Sequence, residues 1–418
     1  MKKIPNKVKI AASILLFYLL AAAVGPSLAN EEAIHNWNNK MYWADNPKLV
    51  PPSWINLFGK NLPPTENLAP TKIEGNLYVY EYDFRYSEAP QDIIVYSEFP
   101  CDMTINITLP DGREYTLYRG LSRSKIRLGM MFMVMGKIAQ DKGLNYTDSD
   151  LIFRGGLDPI FMGKDGVEKG TYIIEITSEN EPKVRVLGRV YGILGTDSTG
   201  RDIWQGFVWG FRETMVMVVT VGFTAVAIGA VLGVLSALYG IAGTVTDALT
   251  KLSTILPLVP VMVMMVPITG KVTYGGHLEV PFWSFVLLMG LLLFGKIARN
   301  VRALVETELG KEYVESAISL GGSRWWILRH HVSRAVLPYS VYQFSIVMPK
   351  VVALVSLLGF FEAIPGFNWG TLLGNMITEN QLFSMAWWIV VPIGAALAVF
   401  AMAFVLINLS IEDRFLTR

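Results

Sequence analysis

The feature that most constrains this chain is a set of six long apolar runs, at roughly 9–28, 214–239, 252–270, 281–298, 338–361 and 384–408. A helix crossing the hydrocarbon of a bilayer needs about 20 mostly apolar residues, and only a helix satisfies its own backbone there. Charged residues make up 17% of the chain, against about 25% in soluble domains. The net charge of +1 offers no field to nucleic acid. The third run holds Pro257, Pro260 and Pro267, which kink a membrane helix; such a helix can wall a pathway or stand in a static bundle.

Basic residues set the expected direction, since basic loops stay in the cytoplasm. Lys2, Lys3, Lys7 and Lys9 precede the first run. Arg299, Arg302, Lys311, Arg324, Arg329 and Arg334 lie between the fourth and fifth, and Arg414 and Arg418 follow the sixth. Six crossings put these three sets on one side. Both termini are then cytoplasmic, and residues 30 to about 205 are external. The start also reads as a signal peptide with a small-residue Ser27-Leu28-Ala29 site, whose cleavage would leave five spans.

The external part, 31–190, opens with Pro-, Asn- and Trp-rich irregular chain. From about 71 it carries short aromatic and β-branched runs such as "NLYVYEYDFRY", "MTINITL" and "GTYIIEITS", broken by "EAPQD" and "PDG". Five to eight strands of a small β-sandwich are expected. "LGMMFMVMGKIA", 128–139, is too short to span and reads as a buried helix or strand, or as a re-entrant segment. The single cysteine, Cys101, has no intrachain partner and is read as a small core residue. The acids of 141–150 lack EF-hand spacing and read as a solvated loop. Asn106 and Asn145 begin glycosylation sequons.

No G-x-S-x-G, H-E-x-x-H or P-loop pattern is present, so no catalytic residue, metal or cofactor is expected in this chain. His330 and His331 are adjacent and point about 100° apart on a helix, so they read as solvated or partner-facing. Lys350 lies well inside the fifth run. It either faces a pathway, or its helix enters the membrane later and the amine reaches the interface. Lys296 is read as reaching the cytoplasmic interface.

Between the fourth and fifth runs stands "EYVESAISLGGSRWWILRHHVSRAVLP", 312–338. The spacing predicts a helix with Val314, Ala317 and Ile318 on one face and Glu312 and Glu315 on another. Gly321 and Gly322 end it, Ser323 caps a second helix carrying Trp325 and Trp326, and Pro338 falls in the first turn of the next span. That shape suits a groove on another protein, or is an ordinary loop.

This segment resembles the E-A-A-x-x-x-G loop of ABC-importer permeases, through Glu315, Ser316, Ala317, Gly321 and Leu337-Pro338. Glu312, Tyr313, Gly322, Arg329 and His330 fit the C-type permeases of dipeptide and oligopeptide importers more closely, and Trp325 belongs to the same expected ATPase-coupling loop. "GTDSTGRDIWQGFVWGFRET", 195–214, is similar to the segment before those permeases' second helix, through Gly195, Thr196, Asp197, Gly200, Arg201, Asp202, Gly210 and Arg212. "ARNVR", "LVSLLGF" and "WGTLL" follow in the family's order. Three departures stand out: the long external insert, Val352 where an acid is expected, and Ser333 where a proline is common.

The resemblance implies an all-α polytopic membrane bundle of about six transmembrane helices, with a large extracellular, mostly-β insert between helices 1 and 2. The expected parts are the first helix at 1–30, the insert at 31–190, and a permease core at 191–418 with a coupling loop at about 299–337. It implies no cofactor in this chain, with ATP and Mg on two partner ATPase subunits. A homologous second permease, an external solute-binding protein and the lipid bilayer are the other implied partners. The rival reading is a membrane-anchored receptor whose β-domain binds a ligand and whose loop recruits a cytoplasmic partner.

Overall fold

The computed structural model describes residues 5–146, 156–272, 278–361, 364, 366–378 and 386–416. Lys2, Lys3, Arg418, the Thr147 end of the second sequon, and Asp148 and Asp150 fall outside them. The chain forms two compact units. One is helical, Met1–Ile34, Gln205–Asn380 and Val390–Arg418; the other is strand-rich, His35–Trp204 with Gln381–Ile389.

The helical unit is built from α1 (Asn6–Leu28), α2 (Ile203–Leu238), α3 (Gly240–Ile255), α4 (Leu258–Thr269), α5 (Phe282–Leu309), α6 (Glu312–Ser319), α7 (Arg324–Ile327), α8 (Ser333–Phe360), α9 (Trp369–Thr378) and α10 (Trp387–Leu416). Five stretches among the described residues are long and apolar enough to cross a bilayer: α1, α2, α5, Trp325–Phe360 and Trp387–Ile411. α2 has 36 residues, about 54 Å of helix, where the hydrocarbon asks for about 30 Å. It begins well before the 214 expected from sequence, because Arg212 and Glu213 interrupt the apolar run but not the helix.

The third run is a broken pair, not one kinked helix: α3 and α4 meet at 89°. Leu256 is extended, with ψ 126°, because the ring of Pro257 clashes with a helical residue before it. Small residues let the other helices approach. A Cβ on Gly229 would lie 2.7 Å from the Ile297 side chain, and one on Gly233 would lie 2.7 Å from the Ala298 carbonyl oxygen. These two glycines, four apart on α2, seat against α5. α1 is packed by Tyr18, which stacks on Phe400 at 5.0 Å and donates its hydroxyl to the Ala396 carbonyl at 2.5 Å.

The strand-rich unit holds β1 (Glu66–Leu68), β2 (Lys72–Glu74), β3 (Leu77–Phe84), β4 (Asp92–Tyr96), β5 (Cys101–Thr108), β6 (Glu114–Ser122), β7 (Lys125–Arg127), β8 (Gly170–Ser178) and β9 (Lys183–Leu187). These form two antiparallel sheets, ordered β2-β3-β8-β5-β6 and β1-β9-β4-β7. Alternate residues point inward, as the two-residue period of a strand requires. Tyr80, Tyr82 and Phe84 of β3, Ile105 and Ile107 of β5, and Ile174 and Ile176 of β8 share one core with Ile93 and Val95 of β4 and Val184 and Val186 of β9.

The apolar run 128–139 closes one part of that core as a helix, Phe132–Lys142, burying Met135 and Ile138. The Lys142 ammonium is buried. It donates to the carbonyls of Ile160 at 2.8 Å and Met162 at 3.1 Å and pairs with Glu168 at 2.6 Å. Burial pulls its pKa down while Glu168 opposes the shift. Cys101 is buried between the hydroxyls of Ser97 at 3.2 Å and Ser178 at 3.3 Å.

Candidate functional site

The segment between α5 and α8 is a helical hairpin with a defined turn. α6 ends in paired bonds: Gly322 N–H donates to the Ala317 carbonyl at 3.0 Å and Gly321 N–H to that of Ile318 at 2.9 Å. This double closure needs a left-handed residue between the helices, and Gly321 supplies it with φ +87°. Ser323 then caps α7, its hydroxyl accepting the Trp326 N–H at 3.2 Å. α7 runs through a π turn, Leu328–Val332, directly into α8. Pro338 therefore lies inside a continuous helix rather than in its first turn. Such wide turns recur at functional sites.

One face of the hairpin is fixed inward. Val314, Ile327 and Val332 are buried. Glu308, at the end of α5, accepts from the Tyr313 hydroxyl and from Lys311 Nζ at 2.6 Å. The Glu308 carboxylate raises the pKa of the Lys311 amine and of the Tyr313 phenol. His330 stacks on Trp326 at 4.6 Å, as a partly covered surface group. His331 does not face outward as expected: its ring meets Tyr313 and Trp326 at 5.3 Å each, and its Nε2 is buried without a partner among the described residues. The widened turn rotates it inward, a change of period that sequence spacing does not carry.

The other face is bare. Leu320 is 89% exposed, Trp325 69% and Ile318 50%. Glu312, Glu315, Ser316 and Arg329 are exposed beside them. Ile318 thus parts from Val314 and joins the outer face. Ala317 is half-buried at the closing turn.

The 195–202 motif, placed with the helical core by sequence, packs in the strand-rich unit. Asp197 Oδ1 accepts from Thr199 N–H at 3.0 Å, Thr199 hydroxyl at 2.8 Å and Arg201 N–H at 2.9 Å. The Arg201 guanidinium pairs with the other oxygen and lies 5.2 Å above the Trp37 ring. Gly195 and Gly200 both have positive φ, and a Cβ on either would strike the backbone of Val50 or Trp43. Thr196 bonds Pro47 and Val50 through its hydroxyl and accepts the Trp388 indole N–H at 3.1 Å. Asp202 Oδ1 accepts the Trp204 N–H at 3.0 Å at the start of α2. Arg212 is exposed on α2. The motif is a buried structural knot, with its polar groups turned on one another.

"LVSLLGF" and "WGTLL" meet in space. A Cβ on Gly359 would lie 2.6 Å from Gly370 Cα, so α8 and α9 touch backbone to backbone. Trp369 is fully buried, stacked on Phe207 at 5.1 Å, with its indole N–H on the Phe207 carbonyl at 2.8 Å. Arg302 of "ARNVR" bonds Asp247 at 2.8 Å, joining α5 to α3. Lys350 lines a cavity of about 400 Å³ on α8, and Lys296 lines it too.

Five long apolar helices, a bent sixth pair and an amphipathic hairpin between two of the long helices fit a multi-pass membrane protein. Residues 229–415 match the family described as binding-protein-dependent transport system inner membrane component. Residues 229–415 form that family's domain, and over about half its length the chain is similar to permease proteins of peptide transport systems. It is similar to the probable D,D-dipeptide transport system permease of Escherichia coli, 26% identical over 53% of this chain and 71% of that one. Against the dipeptide transport system permease of Lactococcus lactis it is 24% identical, over 53% and 63% of the two chains. Against the oligopeptide transport system permease of Haemophilus influenzae it is 27% identical, over 48% and 63%. None of these relatives supports a ligand-binding receptor.

Proposed function

We propose that this permease forms half of a pathway for peptides or similar small solutes, beside a homologous second permease, and that the 310–333 hairpin is its contact with a cytoplasmic ATPase. The observation that carries the contact is the bare outer face: Leu320, Trp325 and Ile318 exposed, rimmed by Glu312 and Glu315, on a hairpin held rigid from within. Apolar side chains rimmed by charge mark a docking surface. ATP and Mg are held by two such partner subunits. Closure of the ATPases pushes the hairpin, and the continuous helix from α7 through α8 carries the push into the bundle as rigid-body rocking.

The basic residues around the spans support a reading with both termini and the hairpin in the cytoplasm and the strand-rich unit outside. There that unit shields the pathway or receives a solute-binding protein. Peptide cargo is drawn from the relatives' names, in keeping with an importer of that type. The test is disulfide trapping. With Cys101 replaced, Leu320→Cys should cross-link to single cysteines in the ATPase cleft in inside-out vesicles. Asp111→Cys should not. Trapping at neither site sinks the docking assignment.

A further inference from the structure

The cavity beside Lys350 holds more than one unusual group. Lys296 and Asn300 of α5, Gln343 and Lys350 of α8 and Ser253 of α3 line it, with leucine, isoleucine and valine between them. No acidic side chain lines it among the described residues. Lys296 and Lys350 thus bring two ammonium groups to one lining. Gln343, only 4% exposed, brings an amide to the same lining. Two like charges around one cavity of a membrane bundle are costly without a counter-charge.

A single anion would offset both charges. A carboxylate has two oxygens and about four acceptor sites, enough for both ammonium groups and the Gln343 and Asn300 amides. We propose that this cavity is an anion subsite that takes a carboxylate of the cargo as it crosses. The proposal rests on the reading that a pathway for peptide-like solutes runs through this bundle. A lipid phosphate would offer similar acceptors, and the experiment separates the two.

The full chain is placed in lipid discs of phosphatidylcholine, and acylation of Lys296 and Lys350 is followed by mass spectrometry. The probes are trialanine and trialanine amide, which differ only in the terminal carboxylate. Trialanine should slow acylation of both lysines, with a half-protecting concentration roughly tenfold below that of the amide, as expected for loss of a charge-assisted bond. In Lys350→Gln, trialanine should lose most of its protection of Lys296, and Gln343→Leu should weaken it in the same direction. Equal protection by acid and amide, or none by either, overturns the proposal. So does protection that needs added phosphatidylglycerol and ignores trialanine, which would make this a lipid site. The readout uses no ATPase, so failure of the docking assignment is seen separately.

Discussion

The Gly322 N–H donates to the Ala317 carbonyl oxygen, and a methyl group on Gly322 would come within 2.7 Å of that same oxygen. The turn between α6 and α7 therefore closes too tightly for a side chain at 322. At Gly321 the limit is different: a Cβ there meets nothing within 4 Å, but φ is +87°.

The two glycines should thus respond differently. Gly321→Ala is expected to cost about 1–2 kcal/mol through the left-handed backbone, and Gly321→Asn less, since Asn tolerates that region. Gly322→Ala should cost about 1–3 kcal/mol through overpacking. The open space at 321 makes the cost there conformational. Amide exchange of α6 in the purified complex measures both, and equal losses for Gly321→Ala and Gly321→Asn would contradict the backbone argument.

Trp369 should be the most sensitive position of the helical unit. Trp369→Ala removes a fully buried indole and is expected to cost about 3–5 kcal/mol. Trp369→Phe keeps the stacking and removes the indole hydrogen bond to the Phe207 carbonyl, at about 0.5–1.5 kcal/mol. Thermal stability of the detergent-solubilised protein gives the order, wild type above Phe above Ala.

What sequence made legible follows from length and from local pattern. The apolar runs needed only counting, and the strand runs showed in their two-residue alternation. Gly321, Gly322 and Ser323 were readable as a turn and cap because capping is local chemistry. The π turn was not, because it shifts the helical period by tertiary packing, and with it the direction of His331. The break at Leu256-Pro257 was visible as a kink but not as an 89° bend. The packing of Gly229 and Gly233 on α5 could have been found from their four-residue spacing. The union of 386–389 with the strand-rich unit is a long-range contact, carried by Trp388 on Thr196, that no local pattern announces.

The strand-rich unit should fold without the helices, because its two sheets share one apolar core. Residues 35–204 expressed alone should give β-type circular dichroism and a cooperative melt. Lys142→Met in that fragment should lower stability by about 2–4 kcal/mol, since it leaves two carbonyls and Glu168 without their buried donor. A broad, non-cooperative melt of the unaltered fragment would contradict the independent core.

Direction across the membrane is open to a thiol scan. With Cys101 replaced, Asp111→Cys should react with an impermeant reagent from outside and Lys311→Cys only from inside. The opposite pattern would invert the topology and remove the hairpin from the reach of a cytoplasmic ATPase.

The central claim is that the bare face of the α6–α7 hairpin holds the ATPase, and co-purification of the ATPase subunits tests it most directly. Trp325→Glu and Leu320→Asp alter exposed side chains with no inward role, so the permease should still insert and melt normally. An interface that loses a large apolar anchor should weaken by about 2 kcal/mol or more, roughly thirtyfold. The account predicts that ATPase recovery collapses in both variants, with salt-sensitive partial loss in Glu315→Lys. Undiminished recovery in Trp325→Glu and Leu320→Asp, from a correctly folded permease, would contradict it.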